Sequence, residues 1–329
     1  MCTSIAFTKP ALFGRNLDLE YSFGEQVVIT PRNHPFRFHH LPEMKRHLAL
    51  IGMATVAEDT ALYAEAVNEK GLYMAGLNFP GNAHYFVRDV PGKEMVAPYE
   101  LIPLVLGQCE TLAQARELLA RLALTAIPFA PGYPLAPLHW HIADATGSLV
   151  AEPMADGLKL YEDPVGVMTN NPPFPFQRMN LNNYQHLSPC PPDNRFAPGL
   201  ELQTYGQGMG ALGLPGDASP MSRFVRAAFL KGNAVFTGEP VSDVTQFFHI
   251  LEAVAMVRGS VITPEGKCDM TTYACCVDAA RGVYYYKTYE NCQLSAVYLF
   301  GEDLESENLK CFPLAKEPRV FAHNAPPKG

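Results

Sequence analysis

Short apolar runs separated by turn-forming pairs open the chain. Thr3 to Phe7, Leu12 to Leu17, Val27 to Thr30, Leu48 to Met53, Leu62 to Val67 and Leu72 to Leu77 are apolar or alternating, with Lys9-Pro10, Asn33-His34-Pro35 and Asn68-Glu69-Lys70-Gly71 between them. Runs bounded in this way read as strands, and their spacing predicts a meandering antiparallel sheet. The period then lengthens. Pro98 to Leu106 and Thr111 to about Leu122 carry apolar residues at helical spacing, and Thr111 with Gln114 has the form of a capping box. Two helices here would cover one face of the sheet.

A Pro-rich stretch from Ile127-Pro128 to Pro137 resets the pattern, and Leu138 to Asp144, Ser148 to Pro153, Leu158 to Tyr161 and Val165 to Thr169 predict a second strand series. Ser188-Pro189-Cys190-Pro191-Pro192 to Pro198 predicts an irregular surface excursion. Beyond it, Ser219 and Pro220 suit the N-cap and first position of a helix over Ser222 to Leu230, and a further helix is predicted from Asp243 to Val257. Tyr273 to Val277, Gly282 to Tyr289 and Ser295 to Phe300 predict closing strands. The order strands, helices, strands, helices, strands predicts an α+β chain with two sheets between helical layers. No repeat, linker or low-complexity stretch divides it, so a single domain over residues 1–329 is expected.

Composition narrows the function. With 48% hydrophobic and 18% charged residues the 329-residue chain can bury a substantial core. A net charge of -8, without a basic run interleaved with aromatics, argues against a nucleic-acid partner. No apolar stretch approaches the roughly 20 residues of a membrane span, and the first residues lack the basic and apolar regions of a secretory signal, so a cytoplasmic protein with no membrane association is expected. The eight cysteines contain no CxxC pair and read as reduced thiols.

The candidate chemistry begins at Met1-Cys2-Thr3. Removal of Met1 would leave one residue carrying a thiol and a free α-amine, a nucleophile with its own base. Free amines of this kind titrate near ~7.7–8.0 and free thiols near ~8.5, and a neighbouring cation favours the thiolate. Position alone assigns nothing. Gly14-Arg15-Asn16-Leu17-Asp18 ends the second predicted strand, one hairpin from Cys2, where Arg15 would favour a thiolate and Asp18 would hold an amine, or where the two form an ordinary surface ion pair. Asn78 and Asn170 end strands beside proline, as oxyanion donors and as common turn residues both do. Gly208-Met209-Gly210-Ala211-Leu212-Gly213 matches GxGxxG, but Leu214-Pro215 follows where a nucleotide site needs a helix, so a loop bordering a pocket is the better reading. His139-Trp140-His141 lacks a third ligand at useful spacing and reads as core or surface histidine.

Taken in order, Met1-Cys2-Thr3, Phe13 to Ser22, Asn68 to Leu72, Ala75 to Pro80, Thr169-Asn170-Asn171-Pro172, Gly213 to Asp217, Ser222 to Phe229, Val257 to Ser260 and Tyr284 to Asn291 resemble the choloylglycine hydrolase family over nearly the whole chain. The resemblance implies an N-terminal nucleophile hydrolase, a four-layer αββα sandwich with two antiparallel sheets, that cleaves a linear amide without cofactor or metal. It implies Cys2 as nucleophile, Arg15 and Asp18 polarising its thiol and amine, Asn78 and Asn170 serving the oxyanion and the amine, and Arg223 supporting them. The substrate it implies is a glycine- or taurine-conjugated bile acid. Arg15, Asn78, Tyr21, Phe23, Met53, Phe129, Leu135 and Met209 are the candidate contacts, and a homotetramer is implied as the assembly. Asn78 resembles the bile salt branch, where penicillin V acylases tend to carry Tyr. Penicillin V or an acyl homoserine lactone as substrate, and a non-hydrolytic steroid-binding member of the fold, are the alternatives.

Overall fold

In the computed structural model, residues 1–197 and 199–324 are described. Pro198, where the predicted excursion ends, and residues 325–329 of the expected domain lie outside the described residues. In chain order the strands are β1 (Cys2–Phe7), β2 (Leu12–Leu19), β3 (Gln26–Thr30), β4 (Leu50–Ala57), β5 (Thr60–Asn68), β6 (Tyr73–Asn78), β7 (Glu94–Val96), β8 (Leu122–Leu124), β9 (Leu138–Asp144), β10 (Gly147–Met154), β11 (Gly157–Glu162), β12 (Val167–Met168), β13 (Met270–Asp278), β14 (Val283–Thr288), β15 (Ser295–Tyr298) and β16 (Lys310–Pro313). The helices are α1 (Leu101–Gln108), α2 (Leu112–Leu119), α3 (Phe174–Asn180), α4 (Pro220–Gly232) and α5 (Pro240–Glu252).

One sheet has the order β12-β1-β2-β13-β14-β15 and the other β11-β10-β9-β6-β5-β4-β3-β16. Their pairings are antiparallel. Helices α4 and α5 pack on β1, β2 and β13 of the six-stranded sheet, and α1 and α2 on β5, β6, β9 and β10 of the eight-stranded one. The layers are therefore αββα, as the resemblance implied. Alternation assigns the faces: Trp140 and Ile142 of β9 join the core under α1 and α2, while Ala143 on the opposite face joins the core between the sheets. No described helix is long and apolar enough to cross a membrane.

The expected single meander is corrected. It breaks after β2, because β13 takes the free edge of β2 and the chain crosses to the facing sheet before β3. Glu25 ties that crossing, accepting from Ser22 Oγ at 2.7 Å and Phe23 N at 3.0 Å, and Gly24 supplies a positive φ of 76°. The second helix stops at Leu119, and Leu122–Leu124 leaves it to pair in parallel with β7. Its start is as expected: Thr111 Oγ1 accepts from Gln114 N at 3.3 Å, while the Gln114 amide oxygen accepts from Glu110 N at 2.7 Å, one residue earlier than a capping box prescribes. The strand β16 escaped the pattern because it is a short edge strand ending in Pro313, where a missing donor is tolerated.

Trp140 is fully buried and fills the layer between the eight-stranded sheet and its helices, with Gly76 beside it because a Cβ there would approach Nε1 to 3.3 Å. Trp140→Ala is expected to cost about 3–5 kcal/mol, measured as a shift of the urea unfolding transition. A loss below about 1 kcal/mol would contradict a packed outer layer.

Candidate active site

The register of the first hairpin decides what Cys2 meets. Cys2 pairs with Leu17 and Ser4 with Arg15, so Cys2, Ser4, Arg15 and Leu17 share the face turned toward the second sheet. Cys2 is 3% exposed and Arg15 fully buried. Arg15 Nη2 donates to Cys2 Sγ. Arg15 Nη1 donates to the carbonyl oxygen of Gly76 at 2.5 Å and stands 3.6 Å from Glu65 Oε2. Burial opposes the Arg15 charge, but Cys2, Tyr273 and Glu65 outweigh it and raise its proton affinity.

Groups on the helix side of the same sheet complete the surroundings. Arg223, on α4, donates through Nη1 to the Cys2 carbonyl oxygen at 2.5 Å and to Thr3 Oγ1 at 2.6 Å. The helix that carries it starts where Ser219 Oγ accepts from Ser222 N and Pro220 takes the first position, as the sequence pattern predicts. Asp18 Oδ1 accepts from Thr271 Oγ1 at 2.5 Å, and Oδ2 faces Arg223 Nη1 at 4.0 Å. Burial pushes Asp18 up against the opposing Arg223, and lowers Arg223 against Asp18, Cys2 and Asp269. The Met1 ammonium donates to the Asp18 carbonyl oxygen at 2.5 Å and reaches Asp269 Oδ2 at 3.3 Å.

Asn170 follows β12, the strand on the other side of β1, and joins these parts. Its Oδ1 accepts from Cys2 N at 2.8 Å and from Arg223 Nη2 at 2.8 Å, and its Nδ2 donates to the Asn78 carbonyl oxygen at 2.7 Å. Beneath this loop, His139 stacks on Phe79 with ring centroids 4.1 Å apart and bonds the Thr169 carbonyl oxygen at 2.9 Å and Glu152 Oε1 at 3.3 Å. Burial lowers His139, with Glu152 opposing.

Cys2, Arg15, Asp18, Asn78, Asn170 and Arg223 are thus linked through hydrogen bonds and one ion pair around a single strand end. The candidate substrate contacts are more scattered. Tyr21 is half exposed and Phe23 is tied to β4 through Thr55 Oγ1 at 2.8 Å. Met53 is fully buried in the inter-sheet core. Phe129 packs edge-on to Tyr99 and Tyr133, Leu135 is partly buried, and Met209 caps a loop in which its sulfur accepts from Tyr205 N at 3.2 Å. The sequence reading missed Glu65, Thr271 and Asp269. A lone acid in the apolar run Leu62 to Val67 was a usable signal for Glu65; nothing local marked the other two.

The profile described as linear amide C–N hydrolases, choloylglycine hydrolase family, matches residues 2–312. The chain is 45% identical to the bile salt hydrolase/transferase of Lactiplantibacillus plantarum over 98% of this chain and 100% of that protein. It is 38% identical to the bile salt hydrolase/transferase of Clostridium perfringens over 96% and 98%. A crystal structure of a mutant conjugated bile acid hydrolase from Clostridium perfringens superposes with a TM-score of 0.91 at 36% identity, covering 98% of this chain and 100% of that one.

Asn170→Ala removes the acceptor shared by Cys2 and Arg223 and the donor to Asn78. Its expected cost is about 1–3 kcal/mol, read from urea unfolding. Asn171→Ala, which removes the donor to the Pro80 carbonyl oxygen and the acceptor of Asn82 Nδ2 but touches neither Cys2 nor Arg223, is expected to cost about 1 kcal/mol or less.

Proposed function

The chain belongs to the choloylglycine hydrolase family of linear amide C–N hydrolases, and from that membership we propose that it hydrolyses glycine- and taurine-conjugated bile acids through Cys2. The observation that carries this reading is the contact of the Arg15 guanidinium with Cys2 Sγ at the amino end of β1, where Cys2 N is bonded to Asn170. In the proposal Met1 is first removed, so that the Cys2 nitrogen becomes an amine able to take a proton. Cys2 Sγ attacks the amide carbonyl carbon and passes its proton to that amine, while Asn78 serves the oxyanion and Asn170, whose Oδ1 accepts from the Cys2 nitrogen, orients the amine. The C–N bond then breaks, the amine delivers the proton to the departing amino acid, and a thioester remains. Water attacks the thioester, the Cys2 amine takes its proton, and the bile acid leaves as the thiol is restored.

Asp18 holds the amine in its charged intervals, and Arg223 fixes Cys2 and Asn170. The steroid requires an apolar wall with few polar anchors, for which Tyr21, Phe23, Met53, Phe129, Leu135 and Met209 are proposed, with Arg15 and Asn78 at the amide. The loop around Met209 offers no cation to a sulfonate, which favours glycine conjugates. Family resemblance adds a homotetramer, and from the sequence reading we also propose one domain over residues 1–329 and residence in the cytoplasm.

Purified enzyme is expected to turn over glycocholate with a kcat/KM at least equal to that for taurocholate and well above that for penicillin V. Penicillin V as the best substrate would replace the bile acid reading, and a clear taurocholate preference would overturn the glycine preference alone. Cys2→Ala is expected to abolish turnover while the fold persists, and surviving activity would refute the nucleophile. With Met1 in place the nitrogen beside the thiol is an amide with no proton affinity to lend. Intact-mass measurement should therefore find Met1-bearing protein inactive and the clipped form active.

A further inference from the structure

Glu65 is a fully buried acid that the steps above do not use. Strict alternation along β5 would send it elsewhere. Ala61 and Tyr63 belong to the core under α1 and α2, and continuing the alternation would turn residue 65 the same way. Instead the pairing with β4 slips: Ala54 faces Tyr63 and Met53 faces Glu65, leaving Ala64 as the extra residue of a β-bulge. After the bulge Ala66 joins the helix side and Val67 the core between the sheets, and Glu65 reaches across that space to the six-stranded sheet. Tyr273 Oη donates to its Oε2 at 2.8 Å and Tyr284 Oη to its Oε1 at 2.5 Å. The backbone is fitted to this slip, since a Cβ on Gly52, which pairs with Ala66, would lie 2.0 Å from the Glu65 carbonyl oxygen.

The same slip serves Arg15. Its Nη1 stands 3.6 Å from Glu65 Oε2 and 3.4 Å from the carbonyl oxygen of Ala64, the bulged residue, while its Nη2 holds Cys2 Sγ. We infer that Glu65 is a positioning residue of the hydrolase: re-aimed by the bulge, its carboxylate anchors Arg15 from the side away from Cys2 and limits how strongly that guanidinium holds charge on the sulfur. The inference rests on Cys2 being the nucleophile proposed above. An uncompensated guanidinium would hold a thiolate whose nucleophilicity falls along with its basicity, with a Brønsted slope of about 0.4–0.5. A carboxylate on the far side shares the guanidinium charge and keeps its fork fixed.

Other titratable groups face this pair. Tyr73 on β6, Tyr273 and Cys275 on β13 and Tyr284 on β14 are all driven up by burial and stay neutral in the working range. Asp18, Asp269 and Arg223 lie at the other end of Cys2, and His141 on β9 bonds Ser4 Oγ, the cross-strand neighbour of Arg15, at 2.9 Å. Burial also pushes Glu65 up, opposed by Arg15 and then by the hydroxyls of Tyr284 and Tyr273. Two phenol donors and a guanidinium around one carboxyl group fit the ionised form, and only that form can act on Arg15 in this way.

The test is the pH dependence of iodoacetamide alkylation of Cys2 in the Met1-free full chain, read by mass spectrometry on the N-terminal peptide. In Glu65→Gln the midpoint is expected to fall by about one pH unit and the plateau rate by about threefold, with the acid limb of kcat/KM for glycocholate moving in the same direction. Glu65→Asp, which keeps the charge but withdraws it, should move the midpoint down by less and serves if the glutamine variant does not fold. A purely structural Glu65 would lower the thermal midpoint without moving the pH midpoint. An unchanged or raised midpoint in either folded variant overturns the inference. Alkylation needs no substrate, so failure of bile acid hydrolysis is a separate result.

Discussion

A guanidinium buried between two β-sheets constrains everything around it. Removing such an ion from solvent costs several kcal/mol even after the protein relaxes, and Arg15 is fully buried. The fold meets that cost with partners drawn from four strands: the Cys2 sulfur on β1, the Arg15 neighbour Asn16 through its carbonyl oxygen on β2, Ala64 and Glu65 on β5, and Gly76 on β6, with Tyr273 of β13 tying Glu65 in turn. None of these groups can move alone. A charge held in this way is fixed in direction as well as position, which is what a neighbouring sulfur requires if its reactivity is to be set by its surroundings.

Cys2 gains its environment from being the first residue of an interior strand. Strand β1 is flanked by β2 and β12, so the amino end of the chain is held on both edges. One face of that strand end looks into the inter-sheet space, where Arg15 waits, and the other toward α4, where Arg223 and Asp18 meet. Asn170 closes the lateral side. The site is consequently assembled from elements distant in sequence that share a single strand terminus, and helix α4 contributes Arg223 to it.

Much of this was legible beforehand. The strand runs, the Ser219-Pro220 helix start and the hairpin joining Cys2 to Arg15 are local features, governed by alternation and turn chemistry over a few residues. Arg15 and Asp18 were visible for that reason, although spacing alone also allowed an ordinary surface pair. Burial of both is what separates the two readings. Asn78 and Asn170 looked like turn residues because Asn78 ends β6 and Asn170 follows β12, each ahead of a proline; their distinction is that Asn170 bonds Cys2, Arg223 and the Asn78 carbonyl together.

By itself the sequence determined the α+β layering, the family and the residues gathered near the amino terminus, because apolar periodicity and ordered motifs are written along the chain. Only the tertiary structure decided which sheet each strand joins and where Glu65 points. Sheet choice depends on which edge is already filled, as β13 fills that of β2. The direction of Glu65 depends on a one-residue slip against β4 that reverses every later side chain of β5. Neither can be read from a local pattern, since both are settled by partners that folding alone brings together.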